Sequence, residues 1–262
     1  MPTGQPFNLK NLENSQANLK LHQPLIVNIT NTVTIETIAN ILLAIGASPI
    51  MTQSIEELPE LLCIADALVL NMGTIDQHWI TLAHAAMTEA QKNKRPIVFD
   101  PVGAGATTFR TQQALSIIEK GVDLIKGNAS EIIALAQHTQ NTKGVDSSVD
   151  SSIAIEAACN LANQYQCITV ITGKTDYVCT KNHYYHLTAG SNMLTKVTGM
   201  GCALTAVIAA FLVTENDSIQ AAQAALAYYN FSAEKAAKKA TGPGSFKQLL
   251  IDALMEAHYV AA

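Results

Sequence analysis

The sequence predicts an α/β fold: a largely parallel central sheet covered by helices on both faces. Three observations lead there. Short apolar runs alternate with longer segments of helical apolar spacing, the pattern of strand–helix–strand units. The residues that close those runs are polar and glycine-rich, and in such sheets ligands bind at the carboxyl ends of the strands. Finally, 48% of the 262 residues are hydrophobic and only 14% charged, ample material for a large core.

Residues 1–22 read as a polar arm, helical from about Leu9. A first strand at 25–29 leads into a helix over 33–45, stopped by Gly46. A second extended piece covers 47–51. Ser54 opens a helix with Glu56 and Glu57 in its first turn, where they suit the helix dipole. Strand 67–70, helix 77–94, strand 96–99, helix 110–120 and strand 123–126 follow in alternation. Asn128 and Glu131 stand at the three-residue spacing of a capping box. The polar stretch 139–151 is a surface loop, before a helix at 152–165 and a strand at 168–171. Residues 177–179 and 183–187 form a hairpin around Lys181 and Asn182. Three helices at 201–213, 218–239 and about 246–258 close the chain. With no internal repeat and no dividing linker, one domain spans 1–262.

Composition excludes several classes of function. A net charge of −5 without a Lys/Arg block argues against a nucleic-acid surface. The longest uncharged apolar run, 203–213, is too short to span a bilayer. The first twenty residues lack the apolar core of a signal peptide. Five cysteines (63, 159, 167, 179 and 202) form no CxxC pair, and their odd number argues against a disulfide framework. The expectation is a reduced, cytoplasmic protein with no membrane partner.

The stretch Lys196-Val-Thr-Gly199-Met-Gly201-Cys202-Ala-Leu204 organises the rest. Its glycines lie where an apolar helix starts, and the unpaired N–H groups of a helix start favour an anion. Cys202 is either the mouth of that anion hole or a small buried residue. The strand ends Asn71/Gly73, Asp100 to Gly105, Lys126-Gly-Asn128 and Thr172-Gly-Lys174 converge on the same edge. No Walker loop, dinucleotide fingerprint or zinc cluster occurs. Asp100 and Glu131 are oxygen donors of the kind magnesium takes alongside phosphates; alternatively, Asp100 forms a turn and Glu131 caps its own helix. Lys126 either neutralises a nucleotide phosphate or lies on the surface. Thr172 and Gly173 approach a nucleotide or simply end a strand. Together the set fits magnesium-assisted phosphoryl transfer.

The segments Asn28-Ile-Thr-Asn31, Gly46-Ala-Ser-Pro-Ile-Met51, Asn71-Met-Gly-Thr74, Asp100-Pro-Val-Gly-Ala-Gly-Ala-Thr107, Lys126-Gly-Asn-Ala-Ser-Glu131, Ile171-Thr-Gly173, Thr195-Lys-Val-Thr-Gly-Met-Gly-Cys202 and Gly242-Pro-Gly-Ser-Phe246 resemble those of the hydroxyethylthiazole kinases. The resemblance runs from about 24 to 258 and leaves the arm unexplained. It implies a ribokinase-like fold and ATP-dependent phosphorylation of the alcohol 4-methyl-5-(2-hydroxyethyl)thiazole, in thiamine biosynthesis or salvage. It also implies a homotrimer with active sites at subunit interfaces. By matching position, Met51 and Gly199 touch the thiazole with Asn31 nearby, Lys126 and Thr172 contact ATP, and Asp100 and Glu131 handle magnesium. Many relatives have Arg at the position of Lys126, a swap that keeps charge but loses the planar fork.

Most ribokinase-like enzymes have an Asp base at the position of Cys202, whereas the thiazole kinases resemble this chain in having Cys there. A free thiol is only ~3% thiolate at pH 7, and a helix N-terminus is expected to lower its pKa. Phosphoryl transfer needs mainly positioning and charge stabilisation, so Cys202 is expected to position the substrate hydroxyl and accept its proton, or only to shape the pocket. Three rivals remain: a ribokinase-like kinase of a pyrimidine or vitamin B6 alcohol, an ADP- or ATP-dependent dehydratase of hydrated nicotinamide cofactors, and a nucleotide-binding regulator without turnover.

Overall fold

Burial on both faces is what makes the central runs strands. Ile26, Val27 and Ile29, and then Ala67 to Leu70, are all fully buried. The computed structural model describes residues 2–140 and 151–256. Its strands are β1 (Thr3–Pro6), β2 (Leu25–Ile29), β3 (Ser48–Met51), β4 (Ala67–Asn71), β5 (Ile97–Asp100), β6 (Leu124–Asn128), β7 (Ile168–Thr172), β8 (Asp176–Cys179) and β9 (His183–Leu187). They form one sheet in the order β1-β9-β8-β7-β6-β5-β4-β2-β3. From β3 to β7 every pairing is parallel. The expected hairpin, β8 with β9, adds antiparallel strands beyond β7.

Successive residues of each central strand face opposite cores. Ile26, Val69, Val98, Leu124 and Val170 pack under α1 (Leu12–His22), α2 (Ile35–Ile45), α8 (Met200–Leu212), α9 (Ser218–Ala237) and α10 (Pro243–Glu256). Val27, Leu68, Leu70, Phe99 and Ile125 pack under α3 (Leu58–Ile64), α4 (Gln77–Lys92), α5 (Thr108–Lys120), α6 (Ala129–Gln140) and α7 (Ser151–Tyr165). The apolar helix α8 lies innermost, against α2, α9 and the strands β2, β4 and β5. Its residues 203 to 211 are buried without exception. Helix starts are capped where the side chain is available: Asp76 accepts from the Trp79 N–H at 2.7 Å, and Thr107 from Arg110 at 3.2 Å. As expected, α2 stops at Gly46.

Two local expectations change. The helix expected from Ser54 starts only at Leu58. Ser54 donates to Glu56 at 2.6 Å and the Thr52 hydroxyl bonds Glu57, so side-chain bonds compete with the helical turn. Pro59 then occupies the first turn, where its missing N–H is harmless. Residues 1–22, helical in their second half as expected, also supply the edge strand β1. It pairs parallel with β9 from Thr3 opposite His183 to Pro6 opposite His186. All four of its residues are exposed, so no apolar pattern announces it, and a proline is tolerated at such an edge. Of the expected surface loop 139–151, residues 141–150 lie outside the described residues; 139 and 140 close α6 and Ser151 opens α7.

Although polar in composition, the arm is anchored by Phe7, Leu12 and Leu19, all buried in the core. Leu19→Ala is therefore expected to cost about 2–5 kcal/mol, as for other buried leucines. Urea denaturation checks this; an unchanged midpoint would mean that the arm does not belong to the cooperative fold.

Candidate active site

Neighbouring strands end in Asn71 and Asp100, which pair directly across β4 and β5. Both are buried, and buried polar groups need partners. The Asn71 Nδ2 donates to Asp100 Oδ2 at 2.9 Å. Asn31, just beyond β2, donates its Nδ2 to Asn71 Oδ1 at 2.8 Å and to Cys202 Sγ at 3.5 Å. Backbone donors fix both amides the same way round: Gly73 N–H bonds Asn71 Oδ1 and Val33 N–H bonds Asn31 Oδ1. Thr205, on α8, donates to the same Asp100 oxygen at 2.8 Å. Lys126 Nζ lies 3.4 Å from it and 3.1 Å from the Gly201 carbonyl. One carboxylate oxygen thus gathers β4, β6 and the start of α8, and Oδ1 takes part in none of these bonds.

Lys126 is buried, not a surface lysine. Burial opposes its charge, but Asp100, Cys202 and Glu131 outweigh burial and hold the ammonium above the usual lysine range. Glu131 does cap its helix, accepting from the Asn128 N–H at 2.8 Å in return for the Asn128 bond to its own N–H. Its other oxygen accepts from the Gly103 N–H at 2.9 Å, which ties the cap to the loop after β5. Burial pushes the Glu131 carboxyl up, against those two hydrogen bonds.

Cys202 is where the electrostatics depart from expectation. The thiol is pushed up, not down. Burial and the Asp100 carboxylate raise its pKa, and Lys126, Asn71 and Asn31 offset them only in part. The helix start is present as expected, with the Ala203 N–H to Gly199 carbonyl as the first bond of α8.

Gly199 caps α8 at φ +90°. A Cβ there would sit 2.7 Å from the Thr34 methyl, so conformation and space both demand glycine. Thr34 caps α2, whose Ile35 lines a cavity of about 190 Å³ with Asn28, Thr30, Met51, Thr52 and Gln53. That volume suits a ligand below drug size. Thr172 ends β7 opposite Asn128, with its hydroxyl 3.4 Å from the Gly127 carbonyl.

The structure therefore brings Asn31, Asp100, Lys126, Gly199 and Cys202 together around the start of α8. Glu131 joins through Gly103, Thr172 stands on the next strand, and Met51 lies in the adjoining cavity. Sequence reasoning missed three side chains. Thr205, the one polar residue in the run 203–213, carried a readable signal. Asn71 was noted only as a strand end. Arg110, read as a helix start, sends its guanidinium back to three loop carbonyls.

The profile of the hydroxyethylthiazole kinase family matches residues 17–259. The hydroxyethylthiazole kinase of Aliivibrio salmonicida is 46% identical over 251 residues, 95% of this chain and 94% of its own. This chain belongs to the hydroxyethylthiazole kinase family. The solved hydroxyethylthiazole kinase of Pyrococcus horikoshii OT3 superposes with a TM-score of 0.88 at 38% identity, over 95% of this chain and 94% of its own. A ribokinase-like superfamily protein of Enterococcus faecalis V583 superposes at 0.65 with 12% identity, over 96% and 95%, a likeness of fold alone. The fold is the ribokinase-like one expected. The family profile begins inside α1, so β1 lies outside it.

Beyond the end of β7, Asp176 accepts from the Gly173 N–H at 2.9 Å and from Asn230 on α9 at 2.6 Å. Burial pushes its carboxyl up to about 6, beyond what Gly173, Asn230 and Lys126 offset. Between an ordinary 3.8 and about 6, the folded protein holds a proton that the unfolded chain releases. This group's stabilisation is thus fully present below pH 3.8 and is lost as pH rises through about 6. Comparing urea midpoints at pH 4 and 7, the wild type should lose about 2 kcal/mol relative to Asp176→Asn. Parallel pH dependence in the two proteins would contradict the assignment.

Proposed function

We propose that this hydroxyethylthiazole kinase transfers the γ-phosphoryl group of ATP to the hydroxyl of 4-methyl-5-(2-hydroxyethyl)thiazole, within thiamine biosynthesis or salvage. The observation that carries the reading is the convergence of Asp100, Lys126 and Cys202 on a glycine-capped helix start beside a small cavity. We read residues 1–262 as one kinase domain acting in the cytoplasm. Among the described residues, no helix is long and apolar enough to cross a membrane.

Phosphoryl transfer passes through a loose transition state, so placement and charge stabilisation do most of the work. The thiazole ring occupies the cavity at Met51, with Gly199 against it and Asn31 near its hydroxyl. Cys202 faces that hydroxyl as a neutral thiol, because its raised pKa leaves little thiolate. We therefore assign it to positioning the hydroxyl rather than to removing its proton as a thiolate. The N–H groups of Met200, Gly201 and Cys202 precede the first intrahelical bond of α8 and face the transferring phosphoryl group. Lys126 adds a cation at the same place, and Thr172 contacts the nucleotide.

Among the described residues no group of three or more His, Cys, Asp or Glu could hold a metal. Magnesium in kinases needs fewer protein ligands, since phosphates and water fill the remaining positions. Asp100 Oδ1 and the second lone pairs of Glu131 fit that demand. The ion would neutralise charge developing on the phosphate oxygens.

A trimer is supported by the sheet edge at β3. Met51 of that edge strand lines the cavity with Thr52 and Gln53, and exposed Val33, Leu43 and Ile55 lie on α2 and the segments flanking α2 and β3. A second subunit against that edge would close the cavity.

ADP release from ATP and magnesium should depend on the added thiazole, with a product heavier by one phosphate. Thiazole-independent release would overturn the substrate. Cys202→Ser should keep kcat within about tenfold, with a flat profile from pH 7 to 9, since loss of a general base costs about 10²–10⁴. A rate that climbs with thiolate formation and collapses in the serine variant would restore the base role.

A further inference from the structure

Arg110 is half-buried on the first turn of α5 and forms no ion pair among the described residues. Its side chain runs back over the turn that precedes the helix. Nη1 donates to the Met72 and Val102 carbonyls at 2.9 Å each, and Nη2 donates to the Gly73 carbonyl at 2.8 Å. Three of the five guanidinium donors are thus committed to two different loops. Gly103, at φ +79°, lets the arginine lie close; a Cβ there would be 3.1 Å from Cδ. The Gly103 N–H holds Glu131, so the same contact reaches α6.

The carbonyls that Arg110 holds lie one and two residues past Asn71 and two past Asp100. Those two side chains begin the hydrogen-bonded path through Asn31 to Cys202. The paired register ends there; one more backbone bond, from the Met72 N–H to the Asp100 carbonyl at 3.3 Å, follows it, and beyond that the loops after β4 and β5 no longer pair as strands. We propose that Arg110 is a positioning residue that clamps these two strand-end loops together and so sets the placement of Asn71 and Asp100 for phosphoryl transfer. The clamp touches neither substrate. It rests on the kinase reading of this site. A lysine keeps the charge but not the planar fork that spans three acceptors.

The test uses the full-length enzyme with ATP, magnesium and the thiazole alcohol. Misplacement by about an ångström can cost 10²-fold in rate, so Arg110→Ala should lose at least tenfold in kcat while both KM values stay within about threefold. Low-millimolar guanidinium chloride should restore part of that kcat, whereas a variant that was merely unstable would not be rescued, since denaturant at that concentration hardly changes stability. Arg110→Lys should fall between the two and remain the test if the alanine variant does not fold. Amide hydrogen exchange at Gly73 and Gly103 should speed up in both variants. Unchanged kcat in a folded Arg110→Lys, or a loss confined to the KM for ATP, would overturn the clamp. If the wild type does not phosphorylate the alcohol, the kinase reading fails, and the exchange rates still decide whether Arg110 holds the loops.

Discussion

Asp100 Oδ2 is the point on which the rest of the site depends. A buried carboxylate is costly unless its oxygens are satisfied, and here Asn71, Thr205 and Lys126 all converge on one oxygen. Each donor comes from a different element: β4, α8 and β6. The sheet register that sets Asn71 beside Asp100, the depth of α8 against the sheet and the direction of Lys126 are therefore mutually constrained. The Lys126–Asp100 pair is long at 3.4 Å and almost fully buried. Such pairs are weak contributors to stability once desolvation is counted. Its value lies in keeping a cation and a carboxylate at the mouth of a helix start.

That arrangement also explains the state of the thiol. A helix N-terminus favours a thiolate, yet Cys202 sits in a desolvated position with a carboxylate in its field. Burial and that carboxylate push the thiol up. In a reaction with a loose transition state this is no handicap, because the acceptor hydroxyl needs orientation more than early deprotonation. Glu131 and Asp176 follow the same logic: burial raises both carboxyls, and backbone or amide donors offset it in part. The edge of the sheet is rich in polar groups, and many of them are buried.

Most of the fold was legible because its strands and helices carry their own periodicity. The central strands, the hairpin and the three closing helices stand where apolar spacing placed them, within a few residues. The strand β1 was invisible because Thr-Gly-Gln-Pro has no apolar face; β9 alone makes it a strand. The late start of α3 follows from side-chain bonds between Thr52 and Glu57 and between Ser54 and Glu56, which no propensity scale contains. Within the site, residues next to glycine or at strand ends stood out by composition. Arg110 did not, since its partners are main-chain carbonyls far off in sequence.

The sequence alone determined the α/β alternation, the edge at which the polar strand ends meet, and the glycine turn that opens α8. These follow from local patterns: periodicity, caps, and the freedom of glycine at Gly199. Only the tertiary structure decided that Lys126 points inward, that burial pushes the Cys202 thiol up, and that Asn31, Asn71 and Asp100 form one path. The reason is physical. Ionisation and hydrogen bonding depend on desolvation and on partners brought in from distant elements, and packing alone sets both.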